Sequence, residues 1–317
     1  MKNKSIAVTG SSGYIGTKLL LELEKINTSN IIAIDKNPPL YPIRNMTTIQ
    51  TDIHHDLTEP LESLKVNTLI HLAFDMRWGK TLNEKKSIKK NNLDRLKKIL
   101  ISCRNAKVNH FIYLSSQTVY GAYKNNPNSI LESHNLNPNP RFQYAENKTK
   151  CENFLGEFSR INASINPKIT ILRSAMVLGP NKNPFFHKVF LPQISLKILA
   201  KNPPFQFIHE DDLSKLIISF IKNPLEGKFN VAADGVVFYK QIIQKTGKKY
   251  IPLPGLLASQ LIRMVNLTNK TRFPVSAINF MKFPVMLTTA KLKKFVQYKL
   301  KYSSAEALES FLGTNFS

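Results

Sequence analysis

Near its start the chain reads "SIAVTGSSGYIG": a short β-branched run breaks into Gly10, Gly13 and Gly16, and a helical pattern begins at Tyr14. This junction limits the fold more than any other stretch. A strand that feeds a helix through three glycines lets backbone N–H groups crowd onto a negative group at the helix N-terminus. Both the unpaired N–H groups and the helix dipole favour the charge there. Nineteen residues past Gly16, Asp35 closes a second β-branched run, "NIIAID". A carboxylate at that strand end can hold both hydroxyls of a ribose and repels a 2′-phosphate, so the two features together predict a bound dinucleotide.

The rest of the first half alternates in the same way. "TTIQTD", "TLIHLA" and "HFIYLSS" are separated by amphipathic helical stretches, and "KITILR" follows a helix that runs from Tyr144 to about Ile161. Strands rich in Ile, Val and Thr between such helices predict an α/β fold with a doubly wound parallel sheet of Rossmann type, covered on both faces. From about Leu178 prolines punctuate the chain, and apolar helices alternate with short strands such as "FQFIH" and "KFNVAA". The expected division is a dinucleotide-binding domain over 1–177 and a smaller mixed substrate-binding region over 178–317. Within the latter, about 204–232 is expected to return to the sheet.

Charge tests the competing functions. The chain of 317 residues carries a formal net charge of +24, built from 36 Lys and 9 Arg. Readers of bases and phosphates lean on the bidentate fork of Arg, so a Lys-dominated excess argues against a specific nucleic-acid partner. In "NEKKSIKKNNLDRLKKIL" and the turn after it, the apolar positions Ile88, Leu96, Ile99, Leu100 and Cys103 can share one helical stripe, while Lys85, Lys86, Lys89, Lys90 and Lys97 lie largely off it. That is a solvated face. Two segments, "FFHKVFLPQISLKILA" and "PGLLASQLIRMVNL", are apolar and basic together. They read as lid and core helices, with peripheral membrane contact as the sharper alternative. The two cysteines, Cys103 and Cys151, form no CxxC or Cys/His cluster, so no metal and no disulfide framework is expected. No leader-like or membrane-spanning apolar run is present, and the expected location is a reducing cytoplasm.

The assembled motifs resemble a known family. The spacing TGxxGxxG, rather than GxGxxG, is similar to the short-chain dehydrogenase/reductase superfamily, and in particular to its extended branch, the NAD-dependent epimerase/dehydratase family. "TDI" resembles the segment that brackets adenine through Asp52 and Ile53. "HLA" resembles the strand end beside the cofactor at Leu72 and Ala73, and "NNL" places Asn92 at the family's helix asparagine. "YLSSQTVYG", "LRSAMVLGP", "FIHEDDL" and "KYSSAEALESF" resemble its serine segment, its LRxxxVxGP segment, its late FxHVxDLA segment and its C-terminal signature. The resemblance implies a cofactor contacted by Gly10, Gly13, Tyr14, Ile15, Gly16, Asp35, Asp52, Ile53, Leu72, Ala73, Asn92 and Lys148. Asp35 favours NAD, and Lys36 beside it leaves NADP as the alternative. The family's dimer helix carries Gly-Thr where this chain has Arg95-Leu96, which puts a homodimer in doubt.

Three Tyr/Lys pairs stand four residues apart, where chance gives roughly one. Tyr14/Lys18 lies in the dinucleotide turn and Tyr120/Lys124 begins an irregular connection. Tyr144/Lys148, in "YAENK", opens a helix where the resemblance implies the catalytic pair. Positions i and i+4 share a helix face. A tyrosine titrates near 10 when free, and a lysine and a cationic nicotinamide both favour its phenolate. Ser116 is implied to hold the substrate oxygen beside Tyr144. After Ser116 the chain has Gln117-Thr118 where the family's dehydratases carry Asp-Glu, so sugar dehydration is disfavoured and the TVYG run is closer to the epimerases. Met176 stands where nucleotide-sugar epimerases often have Asn, and Phe185, Phe186 and Phe190 would suit an apolar or steroid-like ketone equally well, or simply pack. Three readings are left open: a (nucleotide-)sugar epimerase acting on a hydroxyl or keto carbon of a small molecule, a one-way dehydrogenase or ketone reductase on an apolar, steroid-like substrate, and a non-catalytic cofactor sensor. The acids of "HEDD", 209–212, are expected to cap a helix rather than hold a metal.

Overall fold

The structure is a computed structural model that describes residues 5–26, 30–77, 81–161, 167–181, 187, 194–199, 201–247, 249–267 and 275–313. Seven strands form one parallel sheet: β1 (Ser5–Thr9), β2 (Asn30–Asp35), β3 (Met46–Gln50), β4 (Val66–His71), β5 (His110–Ser116), β6 (Lys168–Ser174) and, much later in the chain, β11 (Gly227–Val231). Their order is β11-β6-β5-β4-β1-β2-β3. The order reverses between β1 and β4, and the crevice beyond the carboxyl ends of those strands is where such sheets bind ligands.

Two faces must be covered, and the strand sequences show it residue by residue. Ile6, Val8, Ile31, Ala33, Ile70, Ile112 and Leu114 belong to one core. Ala7, Ile32, Ile34, Leu69, Phe111, Tyr113 and Ile171 belong to the other. Strands buried on both faces need apolar residues at consecutive positions, and this explains the unbroken β-branched runs. On the first face lie α1 (Tyr14–Lys25) and α5 (Glu210–Lys222), packed on each other. From α5 the side chains of Leu213, Leu216, Ile217, Phe220 and Ile221 are buried, each worth about 1.5–3 kcal/mol against exposure.

The second face carries α2 (Thr58–Ser63), α3 (Leu82–Asn105) and α4 (Gln143–Arg160). A reciprocal Thr81/Glu84 capping box starts α3, which satisfies two of its orphan N–H groups. The predicted stripe of Ile88, Leu96, Ile99, Leu100 and Cys103 is buried. Lys86 and Lys90 are exposed and Lys97 lies over the Phe154 ring; the side chains of Lys85 and Lys89 fall outside the described residues.

Three two-stranded pieces make the smaller region: β7 (Met176–Leu178) with β10 (Phe207–His209), β9 (Pro204–Phe205) with β12 (Val237–Phe238), and β8 (Ile194–Ile198) with β13 (Lys249–Leu253). Around them lie α6 (Tyr239–Thr246), α7 (Gly255–Leu267), α8 (Ala290–Phe295) and α9 (Ser304–Gly313). A separate core joins Leu178, Phe207, Tyr239, Leu308 and Phe311. Among the described residues no helix is long and apolar enough to cross a membrane.

Candidate active site

Gly10 follows β1 with φ 70°, and a Cβ there would stand 2.6 Å from the Ala73 nitrogen. The loops after β1 and β4 meet at the switch point, and only glycine tolerates both the conformation and the approach. Gly16 faces the Gly10 carbonyl, which a side chain would overlap. Gly13 is the N-cap of α1, with no capping side chain and no acid in the first turn. The helix N-terminus is left open to an anion. Beside it the Ser11 hydroxyl is buried with no hydrogen-bond partner among the described residues. The Asp35 carboxylate accepts from the Ser12 nitrogen at 3.2 Å and the Asn37 nitrogen at 3.0 Å, so it stands at the edge of the same turn. An open helix end, an unpartnered buried hydroxyl and a flanking carboxylate fit a pyrophosphate with its adjoining ribose.

The other residues expected at the cofactor fall into two groups. Leu72 and Ala73 donate their N–H groups to the Thr9 carbonyl and hydroxyl at 3.1 and 3.5 Å, closing the crevice from the β4 side. Ile53 is buried in the second core. Asp52 accepts the Arg95 guanidinium as a fork, at 3.0 and 2.7 Å. Burial pushes this carboxyl up, but the Arg95 bonds and the His54 N–H outweigh it and hold it below the usual range. Arg95, noted in the sequence only as a departure from the dimer helix, is thus tied to the predicted adenine segment.

The second group is bonded to protein. Asn92 clamps the loop past β4: its oxygen accepts from Asp75 N at 2.8 Å and its nitrogen donates to Asp75 O at 3.0 Å. The Tyr14 hydroxyl donates to Glu210 at 2.5 Å, and Asn181 donates to the other oxygen of that carboxylate. Tyr14 therefore joins α1 to the start of α5, and Ile15 packs on the first core. The remaining acids of "HEDD" also have partners. Asp211 pairs with Lys18 at 2.5 Å, and Asp212 accepts from Tyr298, Lys301 and Tyr302. The side chain that caps α5 is that of His209, which accepts from Asp211 N at 3.1 Å.

At the carboxyl end of β5 the three expected catalytic residues come together. Ser116 is the last residue of the strand, and its oxygen accepts from Thr118 N and Thr118 Oγ1 at 3.2 and 3.0 Å. Tyr144 and Lys148 lie one turn apart at the start of α4. Burial raises the Tyr144 phenol, while a hydrogen bond with Ser116 works the other way. Lys148 is buried, donates to the Leu114 carbonyl at 2.7 Å, and holds its ammonium 3.8 Å from the Phe74 ring centre and 4.7 Å from that of Tyr113. Burial brings its pKa down to about 8, against the pull of Cys151 and Glu152. Phe74 also meets Tyr144 edge-on at 5.6 Å.

Beneath this site runs a buried polar chain. Arg173 and Glu152, each with a side chain 1% exposed, form a forked ion pair at 2.9 and 2.7 Å. Ser115, next to Ser116, donates to Glu152 at 2.5 Å. Arg173 also donates to the Tyr120 hydroxyl at 2.7 Å, and Tyr120 in turn to Asn230 at 2.8 Å. A lysine so buried and paired with carbonyl and rings was not foreseen. The signals were Phe74 directly after "HLA" and Glu152 four residues past Lys148. Met176 is half-buried and packs on the Leu178/Phe207 core. Phe185, Phe186 and Phe190 lie outside the described residues.

Compared with known proteins, residues 6–232 match the model of the NAD dependent epimerase/dehydratase family. A protein of Mycobacterium tuberculosis with no characterised activity is 20% identical over 315 residues, covering 97% of this chain and 83% of that one. ADP-L-glycero-D-manno-heptose-6-epimerase of Brachyspira hyodysenteriae is 26% identical over 282 residues, covering 80% and 85%. Among solved structures, MoeE5 in complex with UDP-glucuronic acid and NAD superposes with a TM-score of 0.77 at 16% identity, covering 98% of each chain.

Proposed function

Because this chain belongs to the NAD-dependent epimerase/dehydratase family, an enzyme family of the extended short-chain dehydrogenase/reductase type with NAD as its cofactor, we propose that it is a nucleotide-sugar epimerase. The observation that carries the reading is the group at the end of β5: a Tyr144 hydroxyl hydrogen-bonded to Ser116, one helical turn from a buried Lys148. Gly10, Gly13, Gly16 and Asp35 would hold NAD at the glycine turn, where the cofactor would supply a reversible hydride acceptor for a carbinol carbon. Ser116 orients the substrate oxygen. Tyr144 takes the proton from that oxygen, and the Lys148 charge favours the resulting phenolate against burial. In the reverse direction Tyr144 gives the proton back.

An epimerase is preferred to a dehydratase because no carboxylate follows Ser116. Gln117 and Thr118 occupy those positions, and the Thr118 hydroxyl is bonded to Ser116. Elimination of water needs an acid and a base that these side chains do not supply. Met176 packs on the third core and cannot supply the hydrogen bonds of a substrate-binding asparagine, so that contact would come from other side chains. The sugar-nucleotide relatives support the substrate class.

The test is incubation with NAD and a panel of UDP-, ADP- and dTDP-sugars, followed by chromatography of the sugars and absorbance at 340 nm. Interconversion of epimers without net NADH, lost in Tyr144→Phe, is expected. Steady NADH accumulation with an apolar alcohol and no sugar interconversion would instead establish the one-way dehydrogenase.

A further inference from the structure

From residue 235 to residue 305 the chain contains no Asp or Glu and 13 Lys or Arg. This acid-free stretch contains α7, and the outer face of that helix is mainly apolar, with Gln260 as the polar side chain among its leucines. Leu257, Leu261 and Met264, at i, i+4 and i+7, are 50%, 38% and 64% exposed, and Leu256 beside them is 73% exposed. The opposite side of the helix, Ala258 and Ile262, packs against Ile198 and Ile278. The inner face therefore already anchors α7, and the outer one is extra. Ile251 on β13 and Leu199, whose N–H bonds to the Leu253 carbonyl, add exposed apolar surface where the strand pair leads into the helix.

Several described side chains near this face are basic. Arg263 and Lys249 are exposed. The Lys282 ammonium lies over Gly255 at the start of α7. Burial lowers the Lys282 pKa, and the neighbouring Lys201 charge lowers it further. Lys245 and Lys293 have acid partners, Glu309 and Asp234, from outside the stretch.

We propose that this face is a docking surface for an anionic lipid bilayer, with α7 lying in the interfacial plane. Amphipathic helices of this kind bind through apolar area together with attraction of Lys and Arg to anionic headgroups. A second copy of the chain is a poor occupant, because each copy carries +24 and would bring the same basic rim to the contact. An apolar patch without the basic rim would fit any hydrophobic partner, but the two together select a negatively charged, apolar-cored one. The inference does not depend on the catalytic reading.

The experiment is sedimentation of the full chain with vesicles of phosphatidylcholine alone and of phosphatidylcholine with phosphatidylserine, at low and high salt. Two variants are compared: Leu257→Ser with Leu261→Ser and Met264→Ser, and Lys249→Glu with Arg263→Glu. Binding to the anionic vesicles only, weakened by salt and reduced at least tenfold in both variants, is the expected result; unchanged NAD binding and thermal melting show that the variants fold. The proposal is overturned by no binding to anionic vesicles. It is equally overturned by full binding of the triple serine variant, which would mean a diffuse attraction of the whole +24 charge. A wild-type dimer that the serine variant converts to monomer would give the face to a second copy and also overturn it.

Discussion

Replacing Lys148 by methionine should abolish turnover and yet stabilise the chain. The Lys148 side chain is buried, and its pKa is brought from 10.5 to about 8 by that burial. At about 1.4 kcal/mol per unit, carrying the protonated amine in the folded state at neutral pH costs about 3 kcal/mol relative to the unfolded chain. The substitution also removes the 2.7 Å bond to the Leu114 carbonyl, worth about 1 kcal/mol. Methionine keeps an apolar, polarisable chain between Phe74 and Tyr113. Losing the cation–π contact with Phe74 costs about another 1 kcal/mol, so the net gain is about 1 kcal/mol, by the same linkage reasoning. The pH dependence gives the sign. The folded pKa lies below the unfolded one, so between pH 8 and 10.5 the unfolded chain holds the extra proton and wild-type stability climbs with pH. The advantage of the variant is full below pH 8 and fades toward 10.5. Urea unfolding of both proteins, stepped from neutral pH to 10.5, measures it. A variant less stable than wild type at neutral pH, or a gap that does not change with pH, refutes the reasoning.

Arg173→Met strands a Glu152 side chain that is 1% exposed and strips the Tyr120 hydroxyl of its donor; a loss of about 3–5 kcal/mol is expected in chemical denaturation. Adding Glu152→Met should recover part of it, and a double-mutant cycle with coupling below about 0.5 kcal/mol would mean the pair acts independently. Phe74→Leu removes the ring face 3.8 Å from the Lys148 ammonium. Its alkaline limb in a pH profile of kcat/KM should move down by about 0.7 unit, from a cation–π contribution of about 1 kcal/mol, while Phe74→Tyr leaves the limb in place.

How far the sequence could be read depended on range. The glycine turn, the β-branched strands and the stripe of α3 are local patterns with a fixed period, and they lie in the structure where those periods put them. The meeting of Ser116 with Tyr144 was legible only through the family resemblance, because the residues are 28 positions apart and no spacing rule joins a strand end to a helix start. Side-chain pairings were not legible at all. Tyr14 was expected at the cofactor, but its hydroxyl bonds to Glu210, nearly two hundred residues later. Arg95 could be seen as unusual, yet nothing in the chain pointed it at Asp52. The cage around Lys148 needed the β4 loop, β5 and α4 to be assembled before Phe74 and Tyr113 could be recognised as its walls.

The place of β11 has a consequence during synthesis. β6 pairs with β5 on one side from the moment both exist, but its other edge waits for residues 227–231. At translation rates of roughly 5–20 residues per second, a seven-residue strand stands with an open row of N–H and C=O groups for a matter of seconds on each ribosome. Open edges recruit other chains. Neighbouring nascent copies are therefore most exposed to mispairing in this interval, and a stop codon anywhere between 175 and 226 would make the hazard permanent. Such truncated products should aggregate rather than persist as a free nucleotide-binding half.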